Sequence, residues 1–189
     1  MADESLISQL ASEDARVRAR AAGELFARAR ATIDTIISAW LLDSELSGLL
    51  HAPELRMTAG IAVEPARFEA IRKAHGSPRL ADVPPGQDAK EFELHFDGSV
   101  RLDILTTKAP GGAGAIARFL EKFGEGIQQI EFEVTDVERS TELLRTHFQL
   151  EPLYPATRAG ADDTRVNFFL VPLPGGRKAL IEFVQIVRP

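Results

Sequence analysis

The sequence predicts an α+β protein in which two strand-helix-three-strand (βαβββ) modules form one curved mixed sheet of about eight strands, preceded by a helical N-terminal segment. Three observations carry this reading. The order of elements between residues 57 and 106 recurs between 127 and 187. Gly60-Ile61-Ala62-Val63 lies 71 positions before Glu131-Phe132-Glu133-Val134, and Leu102-Asp103-Ile104-Leu105 lies 79 before Ile181-Glu182-Phe183-Val184, with loop insertions supplying the difference. The faces also agree. Ile61, Val63, Leu102, Ile104, Ile130, Phe132, Ile181 and Phe183 alternate onto one side of their strands, and Thr58, Arg101, Asp103, Gln129, Glu131 and Glu182 onto the other.

Residues 3–50 read as helix throughout: Ala, Leu, Arg and Glu dominate, and the first proline is Pro53. Ser12, with Glu13 and Asp14 behind it, makes an N-cap and acidic first turn for a helix through Val17, Ala21 and Leu25. Ile33, Ile36, Ile37, Trp40 and Leu41 continue at helical spacing. The stretch from Ser5 to Ala29 resembles a single HEAT-like repeat unit; such units gain stability by stacking, so one unit alone reads better as an amphipathic hairpin. The domain boundary is placed at 53. Residues 1–53 are the helical appendage and 54–188 the sheet domain, with module 1 at about 56–107, a linker helix at about 113–124 and module 2 at about 126–188.

Within module 1, Met57 to Val63 reads as a strand and Pro65 opens a helix ending at Gly76. Residues 79–83 read as a short strand before Pro84-Pro85-Gly86. Lys90 to Phe96 alternates, Asp97-Gly98 turns a hairpin, and Val100 to Thr106 returns. Ala109 to Gly114 reads as a flexible hinge. In module 2, Ile127 to Val134 is a strand, and Thr135 with Glu138 has the spacing of a capping box or first-turn support for a helix ending near His147. Strands at 150–156, 165–170 and 178–187 follow, the last two joined through Pro174-Gly175-Gly176.

The composition is that of a soluble globular chain: 189 residues, 44% hydrophobic, 26% charged. A net charge of -6 argues against a nucleic-acid partner, which needs clustered Lys and Arg. There is no cysteine, so disulfides, thiolate metal sites and a cysteine nucleophile are excluded. The acidic first residues lack the pattern of a secretory signal, and no stretch approaches the roughly 20 apolar residues of a spanning helix. The expectation is a cytoplasmic protein with no membrane partner. The glycines at 111–114 lack the phosphate-loop pattern, and Ser, His and Asp form no nucleophile elbow.

The stretches Ile116 to Phe132 (IARFLEKFGEGIQQIEF), Arg165 to Phe168 (RVNF) and Ala179 to Gln185 (ALIEFVQ) resemble the vicinal oxygen chelate superfamily, which includes glyoxalase I and extradiol dioxygenases, and within it the methylmalonyl-CoA epimerases. The resemblance covers about residues 56–188. It implies a cup-shaped sheet in which four strands each offer one ligand to a divalent metal, commonly His, Gln or Glu, His and Glu. Carried over by motif, those positions are Thr58, Asp103, Gln129 and Glu182, and only Glu182 keeps the usual residue. The sequence GIQQIEF stands where epimerases have GIHHIAF.

Without imidazole the set disfavours a transition metal; Asp, Gln and Glu oxygens suit a hard ion such as magnesium, manganese or calcium. The expected cofactor is therefore none, or a weakly held hard divalent cation on Asp103, Gln129 and Glu182. The resemblance implies two bases, Glu182 and Glu91, for a carbon-acid reaction. The cup-lining set is Thr58, Arg101, Asp103, Gln129, Glu131, His95 and Asn167, with Arg101 and Arg165 as ion-pair partners of its carboxylates. The functional expectation is a cup that binds a small molecule without transition-metal chemistry. The alternative is a lyase or isomerase resembling an epimerase or glyoxalase I and using a hard ion. Paired cups are common in the family, and a homodimer is expected.

Overall fold

The protein is described here by a computed structural model over residues 2–187. Helices α1 (Ala2–Gln9), α2 (Ala15–Trp40) and α3 (Ser44–Leu49) precede strand β1 (Met57–Ala62) and helix α4 (Pro65–Ala74). Strands β2 (Lys90–His95) and β3 (Arg101–Thr106) follow, then helix α5 (Ala115–Phe123). The second repeat comprises β4 (Gly126–Glu133), α6 (Val137–Phe148), β5 (Arg158–Ala159), β6 (Thr164–Pro172) and β7 (Lys178–Ile186). Among the described residues no helix is long and apolar enough to cross a membrane.

Contacts divide the chain differently from the boundary read near residue 53. One compact unit joins Met1–Ala29 to Thr58–Gln128, and the other joins Arg30–Met57 to Gln129–Pro189. The helical N-terminus is thus shared out, the first part of α2 counted with one module and the rest with the other.

In the first unit β1 lies parallel to β3 and β2 antiparallel to it. The hairpin between β2 and β3 turns at Gly98, whose φ of 73° is one that a glycine adopts without strain. Ile61, Leu102 and Ile104 are fully buried, and the rings of Phe68 on α4 and Phe92 on β2 meet edge to face at 4.9 Å. The helical segment joins this core: Leu6, Ile7, Leu10 and Leu25 are buried, and the Nε2 of His75 lies 3.1 Å from the carbonyl of Leu10. Burial holds the His75 imidazole below its ordinary pKa, against the opposing pull of that bond.

The strand expected at 79–83 does not form. One backbone bond, Ala81 N–H to the Glu91 carbonyl at 3.0 Å, attaches that segment, and Pro84 and Pro85 have no N–H to extend a ladder. The hinge at 109–114 is pinned. The Asp88 carboxylate accepts from Lys108 N–H (2.8 Å), Ala109 N–H (3.0 Å) and the Thr107 hydroxyl (2.5 Å). A Cβ at position 114 would stand 2.5 Å from Asp88 Oδ2, so close approach is the reason for glycine there.

In the second unit β4 lies parallel to β7, with β6 antiparallel to β7 and β5 to β6. Trp40 is the centre of its core, with ring contacts to Phe132 (6.3 Å), Phe148 (6.5 Å) and Phe183 (5.7 Å). The strand expected at 150–156 reduces to a single bridge between Pro152 and Phe169, because Pro152 and Pro155 remove ladder donors; the paired strand is the two-residue β5. The described strands therefore number seven rather than eight.

Two caps differ from their sequence expectation. Helix α2 begins at Ala15 with Asp14 accepting from Arg16 N–H at 2.8 Å, so Asp14 and not Ser12 is its cap. Helix α6 is capped by Asp136, which accepts from Arg139 N–H at 2.9 Å; Glu138 stands in its first turn, its side chain bound by Arg165 and not closing a capping box.

Asp43 does double work in this unit. It caps α3 by accepting from Glu45 and Leu46 N–H, and it meets His147 Nδ1 of α6 at 2.6 Å. The Leu46 amide and then His147 hold its carboxyl below the ordinary 3.8. A lowered carboxyl pKa contributes stability that is complete above the unfolded value and is lost as pH falls through the folded one. Asp43→Ala is expected to cost about 1 kcal/mol at neutral pH. Urea unfolding at pH 7 and again below pH 3 checks this, with the difference between wild type and variant shrinking in acid.

Candidate functional site

The polar strand faces predicted from alternation exist in both units. In the second, the parallel register sets Glu131 beside Glu182 and Phe132 beside Phe183. Phe132 and Phe183 are in the core, so alternation turns Gln129, Glu131 and Glu182 to the opposite face. Gln129 Nε2 donates to Glu182 Oε2 at 2.7 Å and to Glu131 Oε1 at 3.0 Å. Two like charges in adjacent register repel, and a shared donor between them offsets that cost. Glu182 is only 8% exposed.

This face becomes apolar along β6 and β7. Phe168 stands beside Glu182, and Leu170 beside Leu180. The Tyr154 ring meets Phe168 edge on at 6.0 Å, and the Arg158 guanidinium lies 4.2 Å over Tyr154.

In the first unit Gly60 stands beside Asp103, with Thr58 two residues before Gly60 on the same face. Both Thr58 and Asp103 are buried. Glu93 lies beside Asp103, His95 beside Arg101 and Glu91 beside Leu105, so Glu91, His95 and Arg101 share the Asp103 face as predicted. His95 Nε2 is 2.7 Å from Glu93 Oε2, and both side chains are exposed. Further along this face Ala62 and Leu105 are covered by Ile116 and Leu120 of α5, together with Ala89.

The repeat holds at the level of register. Gly60 beside Asp103 is the counterpart of Glu131 beside Glu182, and Thr58 is the counterpart of Gln129. At the counterpart of Glu131 the first module has Gly60, and the second carboxylate beside Asp103 is Glu93 of β2, on the other side.

Asn167, assigned to the polar face, and Arg165, expected as an ion-pair partner of its carboxylates, stand elsewhere. Asn167 pairs with Phe183 and Arg165 with Gln185, which puts both on the side of β6 that packs towards α6. Arg165 binds Glu138 and the Thr157 hydroxyl, and Asn167 lines a hollow of about 510 Å³ with Thr141 and Arg145 of α6. Polarity misled here because both faces of β6 carry apolar side chains. The residues that the sequence reading missed, Phe168 and Leu170, look like core in a linear pattern.

The fold and the paired registers can be set beside known structures. The methylmalonyl-CoA epimerase of Mycobacterium tuberculosis is 27% identical over 69% of this chain and 87% of its own, with a TM-score of 0.54. A methylmalonyl-CoA epimerase in complex with methylmalonyl-CoA and ammonium is 26% identical over 68% of this chain and 91% of its own, with a TM-score of 0.52. A variant of the Streptomyces coelicolor epimerase in complex with 2-nitronate-propionyl-CoA is 26% identical over 70% and 96%, with a TM-score of 0.54. This chain is a vicinal oxygen chelate protein. No family model and no curated protein sequence matches it.

In this vicinal oxygen chelate protein the metal that the superfamily implies meets an altered donor set. Among the described residues no three His, Asp or Glu side chains gather as metal ligands do. Gln129 presents its amide nitrogen to both carboxylates, and an amide nitrogen has N–H groups to give and no lone pair for an ion. As they stand, these groups do not fit a divalent cation.

Proposed function

We propose that the chain binds a small molecule on its polar strand faces without transition-metal chemistry. The carrying observation is the face of β6 and β7 on which a largely buried carboxylate, Glu182, stands beside Phe168. A hydrogen-bond acceptor next to apolar side chains on one sheet face suits a ligand that carries N–H donors beside hydrocarbon, as the pantetheine amides of a CoA ester do. The epimerase complexes with methylmalonyl-CoA and 2-nitronate-propionyl-CoA support CoA esters as the first ligands to test.

Calorimetry of the purified chain with propionyl-CoA and methylmalonyl-CoA, with and without chelator, tests the reading. Binding unaffected by chelator is expected, and Glu182→Ala should weaken it about tenfold or more, the value of a lost charge-assisted hydrogen bond. If neither ester binds at millimolar concentration, the ligand class is wrong. If manganese is needed for binding and α-proton exchange of methylmalonyl-CoA follows, the epimerase reading with Glu182 and Glu91 as bases replaces this one. A homodimer is the assembly we propose; a monomer mass by light scattering at working concentration would sink it.

A further inference from the structure

We infer that Gln129 is the residue that keeps metal out of this chain, its amide nitrogen holding the place of a cation between Glu131 and Glu182. The inference deepens the metal-free reading above and rests on it. Three observations carry it. The two carboxylates stand side by side in the β4–β7 register, an arrangement that calls for a cation or a shared donor. One amide nitrogen serves both, at 2.7 Å and 3.0 Å, each bond to a carboxyl oxygen.

The third comes from the repeat: at the counterparts of Gln129 and Glu131 the first module has Thr58 and Gly60, so the side-chain amide occurs where the parallel register sets two carboxylates side by side. An ion arriving at Glu182 competes for oxygens that already accept an amide N–H. It would also have to turn the amide so that its oxygen faces inward, leaving the N–H groups without these acceptors.

The inference predicts a gain of function from a single substitution. Gln129→Glu replaces the donor with a hard oxygen ligand, and Gln129→His with an imidazole suited to nickel or zinc. The full chain and both variants are titrated with manganese, nickel and zinc chloride alone by calorimetry, after confirming equal thermal unfolding midpoints. The expected result is no stoichiometric binding by the wild type, manganese binding at least tenfold tighter in Gln129→Glu, and nickel binding at least tenfold tighter in Gln129→His. Stoichiometric manganese binding by the wild type that disappears in Glu182→Ala would overturn the inference. So would two folded variants that bind no ion.

A readout that needs no folded variant is the Gln129 side-chain amide in ¹⁵N NMR. Its protons should lie downfield of the other glutamines and move with carboxylate titration; a free-amide position overturns the assignment. If CoA esters fail to bind while Gln129→Glu gains manganese, the proposed ligand falls and the role of Gln129 stands.

Discussion

Replacing Trp40 with alanine is expected to lower the unfolding free energy by about 3–5 kcal/mol, the usual cost of truncating a buried aromatic residue. Trp40 is only 2% exposed and touches three phenylalanine rings: Phe132 of β4, Phe183 of β7 and Phe148 at the end of α6. The cavity opens at the centre of the second unit's core, where side chains from three strands and helices cannot all relax into it. Chemical denaturation followed by circular dichroism measures the loss. A change below about 1 kcal/mol would show that the indole ring lies at the margin of the core.

The second large effect concerns residues 1–53. A chain shortened to 54–188 is expected not to fold, because the N-terminal helices supply core side chains to both units. In the first, Leu6, Ile7, Leu10 and Leu25 are buried; in the second, Ile33, Ile37, Trp40, Leu46 and Leu50 are. A backbone bond secures the second set as well: Thr135 N–H donates to the Leu49 carbonyl at 3.0 Å. Arg139 of α6 binds both carboxylate oxygens of Glu45 of α3 through the Nε and Nη2 edge of its guanidinium. Expression of the shortened chain, followed by proton NMR, checks the prediction. Dispersed methyl resonances from 54–188 alone would mean that the helices are a separable appendage after all.

These two expectations mark where the linear reading stopped. Trp40 is recognisable as a core residue from its helical spacing with Ile33, Ile36 and Ile37, yet nothing in that spacing says which core it enters. A helix's apolar stripe states that a partner exists and not which one. The same limit applied to Asp88. It sits among loop residues in the sequence, and its three bonds to 107–109 depend on two segments meeting some 20 residues apart.

The strand faces were far more legible. Period-2 alternation and the repeat placed Thr58, Asp103, Gln129, Glu131 and Glu182 correctly, because a strand has only two sides and one of them must be apolar. Asn167 went to the wrong side, and Arg165 to the wrong carboxylate, for the converse reason. On β6 both sides are partly apolar, so register with β7 is the only arbiter.

What the sequence determined by itself is the repeated strand-helix-hairpin module, its register counterparts and the replacement of both expected histidines: all are properties of local periodicity and residue identity. What only the tertiary structure decided is the use to which the polar residues are put. The division of α2 between two cores, the pinning of the 107–114 segment by Asp88, and the double donation by Gln129 all arise between groups distant along the chain. Hydrogen bonds and core contacts act through space over a few ångströms, and linear spacing does not encode which distant groups come that close.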